Sequence, residues 1–363
     1  MDNSKRYAPD FLITVGGTKL RHGVSIEVIS LAVTETYDKA DSFTFTISDR
    51  HPEPARFAGG PELKWMDSPV LDERSEVTIE MGYVDDRSLK LVGEITAVSP
   101  SFPESGVPTL TVRGFSLLSR LQRMPRQEPF ESTTDSGIAH EIAMAMGLTP
   151  MVDPTEAKRS LFAPNGATYG DILLKRAKRI GYEVTVKERT LYFQKPRYIE
   201  DPTPTMTFEW GKDLLNFTPT LNTNKMVTDV TVRGSQTSQG GEKTPLVGKA
   251  SAGKERVKMG ARTGPQIAKA SKDGENKVLL QEHDLADQTE ADLIALAHLE
   301  TAALEYMSGR GATIGNPQLL ARRVIELKGL GRHFSGKYYV VSTTHTISAS
   351  GYRTEFEVKR NGR

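Results

Sequence analysis

The side chains whose types and spacing could do chemistry are few. His140-Glu141 opens the His-Glu-x-x-His spacing of a zinc protease helix, but the fifth position is Met144, so the second imidazole ligand is missing. His22, His51, His283, His298 and His333 stand at no ligand spacing, and His345 reads as a hydrogen-bonded packing residue on the inner face of a strand. Cys is absent, which removes thiolate metal sites, disulfides and cysteine nucleophiles together. Gly329-Leu-Gly331 reaches Phe334 where a dinucleotide loop needs its next glycine, and no Gly-x4-Gly-Lys-Ser/Thr or Gly-x-Ser-x-Gly run occurs. Cleavage of a glycosidic bond needs two carboxylates flanking it. The adjacent pairs Asp72-Glu73 and Asp85-Asp86 fall in expected turns and read as solvated loop residues. No catalytic residue, cofactor-binding residue or metal ligand is assigned, and the chain is expected not to be an enzyme.

Charge narrows the partners. Forty-seven Lys/Arg against 46 Asp/Glu leave +1, so no global field draws the molecule to nucleic acid or anionic lipid. Two local basic features remain. Lys175, Arg176, Lys178 and Arg179 decorate one helix whose other face is apolar, and read as a solvated face. Residues 234–277 carry nine basic residues (Lys243, Lys249, Lys254, Arg256, Lys258, Arg262, Lys269, Lys272, Lys277) against Glu242, Glu255, Asp273 and Glu275. They lack the interleaved aromatics that stack on bases, so no specific nucleic-acid binding is expected there. Ordering on a neighbouring protein is the preferred reading. No apolar stretch follows Met1-Asp2-Asn3-Ser4-Lys5-Arg6, and no run of about 18 apolar residues occurs, so neither signal peptide nor membrane span is expected.

The 363 residues suggest two or three domains. Through residue 125 the period is two: Phe43, Phe45 and Ile47 alternate with Thr and Ser, as do Val77, Ile79 and Met81, then Leu110 and Val112. Strands are expected over 77–83, 89–98 and 109–114, with a Pro-rich surface loop over 50–69. From 126 to 200 the pattern becomes helical and then alternating. Ile138, Ile142 and Met146 fall four apart behind Thr134 or Asp135, and Thr168 to Ile180 reads as a capped helix ended by Gly181. Tyr182, Val184 and Val186 and then Leu191-Tyr192-Phe193 form a hairpin, so this region is a small α/β insert. Pro196, Pro202 and Pro204 mark a linker. From 201 to 363 the β pattern returns at Val230 and Val232, and residues 234–277, aperiodic and rich in Gly, Lys and Ser, are expected to be a mobile or partner-ordered loop. A helix is expected over 287–307 with Thr289 as its cap, and Tyr339 to Ile347 and Phe356 to Val358 close the chain as strands. The expected fold is α+β, mainly β, with two similar barrel-like tube domains (1–125 and 201–363) around the insert (126–200).

Two stretches look alike. Val92 to Ser99, a turn and Thr109 to Gly114 share a pattern with Val340 to Ser348, a turn and Thr354 to Lys359; Thr-Val-Arg-Gly also occurs at both 111–114 and 231–234. Three copies of a chain with two similar modules present six similar units in a ring. Gly311-Ala-Thr-Ile-Gly-Asn-Pro317, Lys328-Gly-Leu-Gly331, Gly336-Lys-Tyr-Tyr-Val340, His345-Thr-Ile and Gly351-Tyr-Arg-Thr354 resemble the late control gene D family of tailed phages. Ser136 to Ala143, Thr168 to Ala177 and Gly181 to Val184 resemble that family's insert. These are tail hub proteins, similar to the T-even baseplate hub and the N-terminal part of VgrG. The resemblance implies a homotrimer joining the six-fold tail tube to a three-fold spike on a separate chain, in a phage tail or contractile injection system, among other baseplate proteins. It implies a virion or baseplate location, assembly in the bacterial cytoplasm and no cofactor. The competing readings are a tail-associated peptidoglycan-cleaving enzyme and a basic-loop nucleic-acid binder.

Overall fold

Apolar residues at every second position demand sheets with one buried face, and most of the chain follows that rule. The structure is a computed structural model, which describes residues 8–21, 28–49, 63, 65–224, 226–237, 241–271, 275–283 and 285–363. The first half runs through β1 (Pro9–Val15), β2 (Thr18–Arg21), β3 (Val28–Thr36), β4 (Ser42–Ser48), β5 (Glu76–Tyr83), β6 (Asp86–Ser101) and β7 (Thr109–Ser116). Phe43, Phe45, Ile47, Ile79 and Val112 are among its fully buried side chains, each contributing about 1.5–3 kcal/mol of burial. Most of the Pro-rich segment 50–69 lies outside the described residues, as do His22 and His51.

The insert comprises α1 (Leu118–Leu121), β8 (Phe130–Thr133), α2 (Asp135–Ala145), β9 (Thr149–Val152), β10 (Arg159–Phe162), α3 (Tyr169–Ile180), β11 (Glu183–Lys187), β12 (Thr190–Gln194) and α4 (Arg197–Glu200). Thr134 caps α2 by accepting the Gly137 N–H, Thr168 caps α3 by accepting the Asp171 N–H, and Gly181 closes α3 in the left-handed region at φ 70°. Ile138, Ile142, Leu173, Ala177, Val184 and Phe193 form the insert's own core.

The second half starts with β13 (Met206–Glu209) and β14 (Leu214–Leu221). An excursion follows, with β15 (Asp229–Thr237), β16 (Lys243–Ser251), α5 (Gly264–Lys269), β17 (Lys277–Glu282) and α6 (Gln288–Leu304). It ends with β18 (Met307–Ile314), β19 (Val324–Lys328), α7 (Gly331–Phe334), β20 (Gly336–Ser348) and β21 (Gly351–Arg360). The expected loop over 234–277 is therefore corrected. Within it β16 pairs with β15, Thr263 and Gln266 cap α5 reciprocally, and Lys277 opens β17. Small and charged residues there hide the alternation, because the sheet is covered on one face by α6 and leaves the other to solvent. The α6 cap is also corrected: Asp287, not Thr289, accepts the Glu290 N–H.

The two halves share one strand order. The first reads β3-β4-β7-β6-β5-β1 and the second β14-β18-β21-β20-β19-β13, which is the same order when taken along the chain. Their irregularities coincide as well. The β3/β4 ladder slips between Val28 and Ser30 and the β14/β18 ladder between Leu214 and Asn216, while β6/β7 slips between Ile95 and Ala97 and β20/β21 between Val340 and Ser342. These bulges align Ile95 with Val340, three residues away from matching Val92 to Val340 as the sequence patterns suggest. The second Thr-Val-Arg-Gly lies in β15, outside the repeated order, so that recurrence is not part of the repeat. The halves differ in one pairing: β1 runs antiparallel to β5, whereas β13 runs parallel to β19. They also differ in the connection after β3, a turn at 37–41, against the excursion after β14. With strands at 48% and helices at 19% of the described residues, the fold is α+β and mainly β.

Candidate functional site

The halves meet edge to edge. Residues Ser342 to Ile347 of β20 pair antiparallel with Thr36 to Leu31 of β3, which fuses both into one 13-stranded sheet. Tyr83 donates its hydroxyl to the Gly315 carbonyl at 2.8 Å and packs on Tyr352, closing the core side of the junction. The Tyr37 N–H donates to the Val341 carbonyl at 3.0 Å, so by antiparallel alternation Val33 and His345 also exchange backbone hydrogen bonds. On the opposite face Thr34 and Thr344 hydroxyls meet at 3.1 Å.

Repetition exposes what is not repeated. The stretch of β20 taken by β3 corresponds in the first half to residues 97–102, and among the described residues nothing pairs with that outer edge of β6: β5 leaves it at Glu94. The strand matching β3 is β14, which ends the sheet with its outer edge unpaired among the described residues. Each open edge holds a proline. The Asp49 N–H donates to the Pro108 carbonyl, which turns Leu110 toward β4 and leaves the Pro100 nitrogen on the outer side of β6. The Asn222 N–H donates to the Tyr306 carbonyl, which likewise leaves the Pro219 nitrogen on the outer side of β14. A proline there withholds a donor from any stray strand. Sequence reasoning missed both edges; the available signal was a proline inside an alternating run.

The face away from the core is Ser/Thr-rich. Ser30 and Thr34 of β3, Thr44 and Thr46 of β4, Thr109 and Thr111 of β7, Ser342, Thr344 and Thr346 of β20, and Thr218 and Thr220 of β14 share it. It is hollowed by a concavity of about 450 Å³ bordered by Asn216, Thr218, Arg310, Ser342, Thr344 and Glu355. Two of its ion pairs are local, Arg310 with Glu357 at 2.5 Å and Arg353 with Glu355 at 3.4 Å. Such a wall is wetted without carrying a field of one sign.

The residues weighed for chemistry are scattered. His140, Glu141 and Met144 are all exposed on α2, and among the described residues no group of three His, Cys, Asp or Glu gathers as a metal would require. Asp72, Glu73, Asp85 and Asp86 are exposed, Asp85 in the β5–β6 turn. His345 is fully buried, and burial pushes its pKa down to about 4. Its Nε2 donates to the Leu319 carbonyl at 3.0 Å, so Nδ1 accepts from the Tyr352 hydroxyl at 2.8 Å. The ring is neutral packing.

The basic face of α3 is corrected in part. Lys175 and Lys178 are exposed, but Arg176 and Arg179 turn inward, with Arg159, onto the buried carboxylate of Glu290. Arg176 also pairs with Asp135, and Arg179 with Glu282 at 3.0 Å. This cluster ties the insert to the excursion. In the segment 234–277, Arg256 is paired with Glu300 at 2.5 Å, Lys269 with Asp229 at 3.3 Å and Lys277 with Glu275 at 2.7 Å, leaving less free positive charge for phosphates than the count suggests.

A second buried cluster lies where insert and both halves meet. Glu35 binds Lys187 at 3.1 Å and accepts the Ala321 N–H at 3.1 Å; burial opposes its charge, but Lys187 and Arg322 outweigh burial and hold its pKa below the usual carboxylate range. Burial pushes Asp41, beside Arg322, up to about 6. Burial pushes Glu183 up to about 7, although the Tyr339 hydroxyl donates to it at 2.6 Å. A cleft of about 200 Å³ next to it is lined by Tyr182, Tyr198, Glu300 and Leu304. Arg256 already binds Glu300 there, so the cleft is a packing seam. No helix among the described residues is long and apolar enough to cross a membrane.

Comparison with known proteins places the chain in a family and finds its fold among solved structures. Residues 6–349 match the family model described as the Alg8 N-terminal domain. No curated protein sequence matches the chain. Among solved structures it is similar to a tail protein from Neisseria meningitidis MC58, at 15% identity over 98% of this chain and 97% of that one, TM-score 0.67. It is similar to the 43 kDa tail protein of prophage MuSo2 from Shewanella oneidensis, at 11% identity over 97% and 98%, TM-score 0.69. A third similar structure is an E. coli component of the type VI secretion system with structural similarity to T4 bacteriophage tail proteins, at 10% identity over 97% of this chain and 77% of that one, TM-score 0.58. The fold is that of phage tail proteins.

Proposed function

We propose a structural function for this chain, which belongs to the Alg8 N-terminal domain family. It is a tail or baseplate hub that trimerises into a pseudo-six-fold ring and joins a six-fold tail tube to a three-fold spike carried on a separate chain. The domains are 1–125, 126–200 and 201–363, the first and last forming the ring. The observation that carries this reading is the strand order used twice and fused edge to edge, with one matching pair of edges left open. A repeat that joins itself once inside a chain can join again between chains, and a three-fold closure gives six units. With four strands from each half the ring is a barrel of about 24 strands. At about 4.8 Å between strands and a tilt of about 40°, its lumen is on the order of 30 Å across, walled by the Ser/Thr face.

The resemblance to the late control gene D family and the fold shared with tail proteins support the same reading, including a place in a virion tail or injection-system baseplate and contacts with tube and other baseplate proteins. The acid pairs singled out from the sequence are exposed and apart, the raised carboxylates Asp41 and Glu183 are buried in packing contacts, and Arg256, Lys269 and Lys277 are paired; these observations favour the structural reading over peptidoglycan cleavage or nucleic-acid binding. Mass measurement by sedimentation or light scattering at micromolar concentration, with and without the spike protein, tests the proposal. Three chains per particle are expected; a stable monomer under both conditions overturns it.

A further inference from the structure

We infer that the open edge of β14 in one copy pairs antiparallel with the outer edge of β6 in the next, in the register that places Thr218 opposite Ser101. This rests on the hub reading and adds the strands, register and chemistry of the contact. The register follows from the matched bulges. They equate Ser342 to Ile347 of β20 with residues 97–102, and Leu31 to Thr36 of β3 with residues 217–222. The internal junction pairs Thr346 with Ala32 and Ile347 with Leu31; carried over, these become Ser101 with Thr218 and Phe102 with Phe217.

The side chains suit this register although, of those at the internal junction, only Thr34 recurs, as Thr220. On the core-facing side Phe102 meets Phe217, Pro100 meets Pro219 and Val98 meets Leu221, three apolar pairs. Phe102 is 64% exposed and Leu221 37% exposed in the single chain, unusual for large apolar side chains on a strand edge. On the lumen side Ser101 meets Thr218 and Ser99 meets Thr220, continuing the polar wall. A slip by one residue would turn the aromatics into the lumen and the hydroxyls into the core.

The prolines set the character of the seam. Val33 and His345 exchange two backbone hydrogen bonds at the internal junction, and their counterparts Pro219 and Pro100 can exchange none. The seam between copies therefore depends on burial of Phe102, Phe217 and Leu221 more than on its ladder. Each proline edge is a poor template for a copy of itself or for a foreign strand until its partner's aromatic is in place.

The chain's lack of Cys makes the test direct. Ser101 and Thr218 would occupy a non-hydrogen-bonded pair, with Cα atoms about 4.5 Å apart and within disulfide reach. Both are exposed in the single chain, so cysteines there leave its core untouched. The variant Ser101→Cys/Thr218→Cys, oxidised at micromolar concentration, should run as a covalent trimer on non-reducing gels. Ser101→Cys/Thr220→Cys, one diagonal step off register and beyond disulfide reach, should not. A trimer by mass in which neither pair cross-links, or both cross-link equally, overturns the register and leaves the hub reading standing. A monomer by mass overturns both.

Discussion

Glu183 stands where β11 of the insert meets β20, with the Tyr339 hydroxyl donating to its oxygens at 2.6 and 2.7 Å. Burial pushes its pKa from the ordinary 4.5 up to about 7. Between those values the folded chain holds a proton that the unfolded chain has released. The stability linked to this group is thus complete below about pH 4.5 and is lost as pH rises through 7. The loss amounts to at most about 3 kcal/mol. Glu183→Gln keeps the shape and the acceptor for Tyr339 but cannot ionise. In denaturant titrations it should gain stability over the parent on going from about pH 5 to about pH 8, by a good part of that amount; equal gaps at both pH values would remove the argument. Little of this was legible beforehand, since burial of Glu183 or the inward turn of Arg176 depends on Tyr339 and Glu290, more than 100 residues away.

At the scale of elements, glycines and aromatics exchange places between the halves. In the first, the Phe43 ring lies over Gly114, where an added Cβ would come within 2.3 Å of it and within 2.1 Å of the Glu94 carbonyl oxygen. In the second, the Phe217 ring lies over Gly309 and Gly311 instead. The ring that covers a glycine comes from a different strand in each half, so the repeat is faint in sequence and clear in strand order. Gly114→Ala should cost about 1–3 kcal/mol in a urea titration by overpacking a site that cannot open without shifting β6. Wild-type stability would show that Phe43 has room to move. Alternation and caps were readable at this scale: Phe43, Phe45 and Ile47 declared a strand, and Thr168 with Gly181 bracketed α3. The 234–277 segment was not, because β16 is Lys- and Gly-containing and its burial comes from α6, on the far side of β17 in sequence.

For the whole molecule, the proposed seam residues 97–102 and 217–222 include no charged side chain. Assembly should then change little between low and high salt, because screening acts on charges and not on buried rings. Sedimentation across a salt series measures this; dissociation of the trimer as salt rises would assign the contact to charged surfaces elsewhere. The amino-acid sequence by itself determined the class of the fold and the strands and capped helices that compose it, because periodicity and caps are properties of neighbouring residues. Only the tertiary structure decided that β3 closes on β20, that β14 and part of β6 stay open, and which registers correspond. Those facts depend on which distant strands share hydrogen bonds, and a period of two specifies a strand's faces while leaving its edges unspecified.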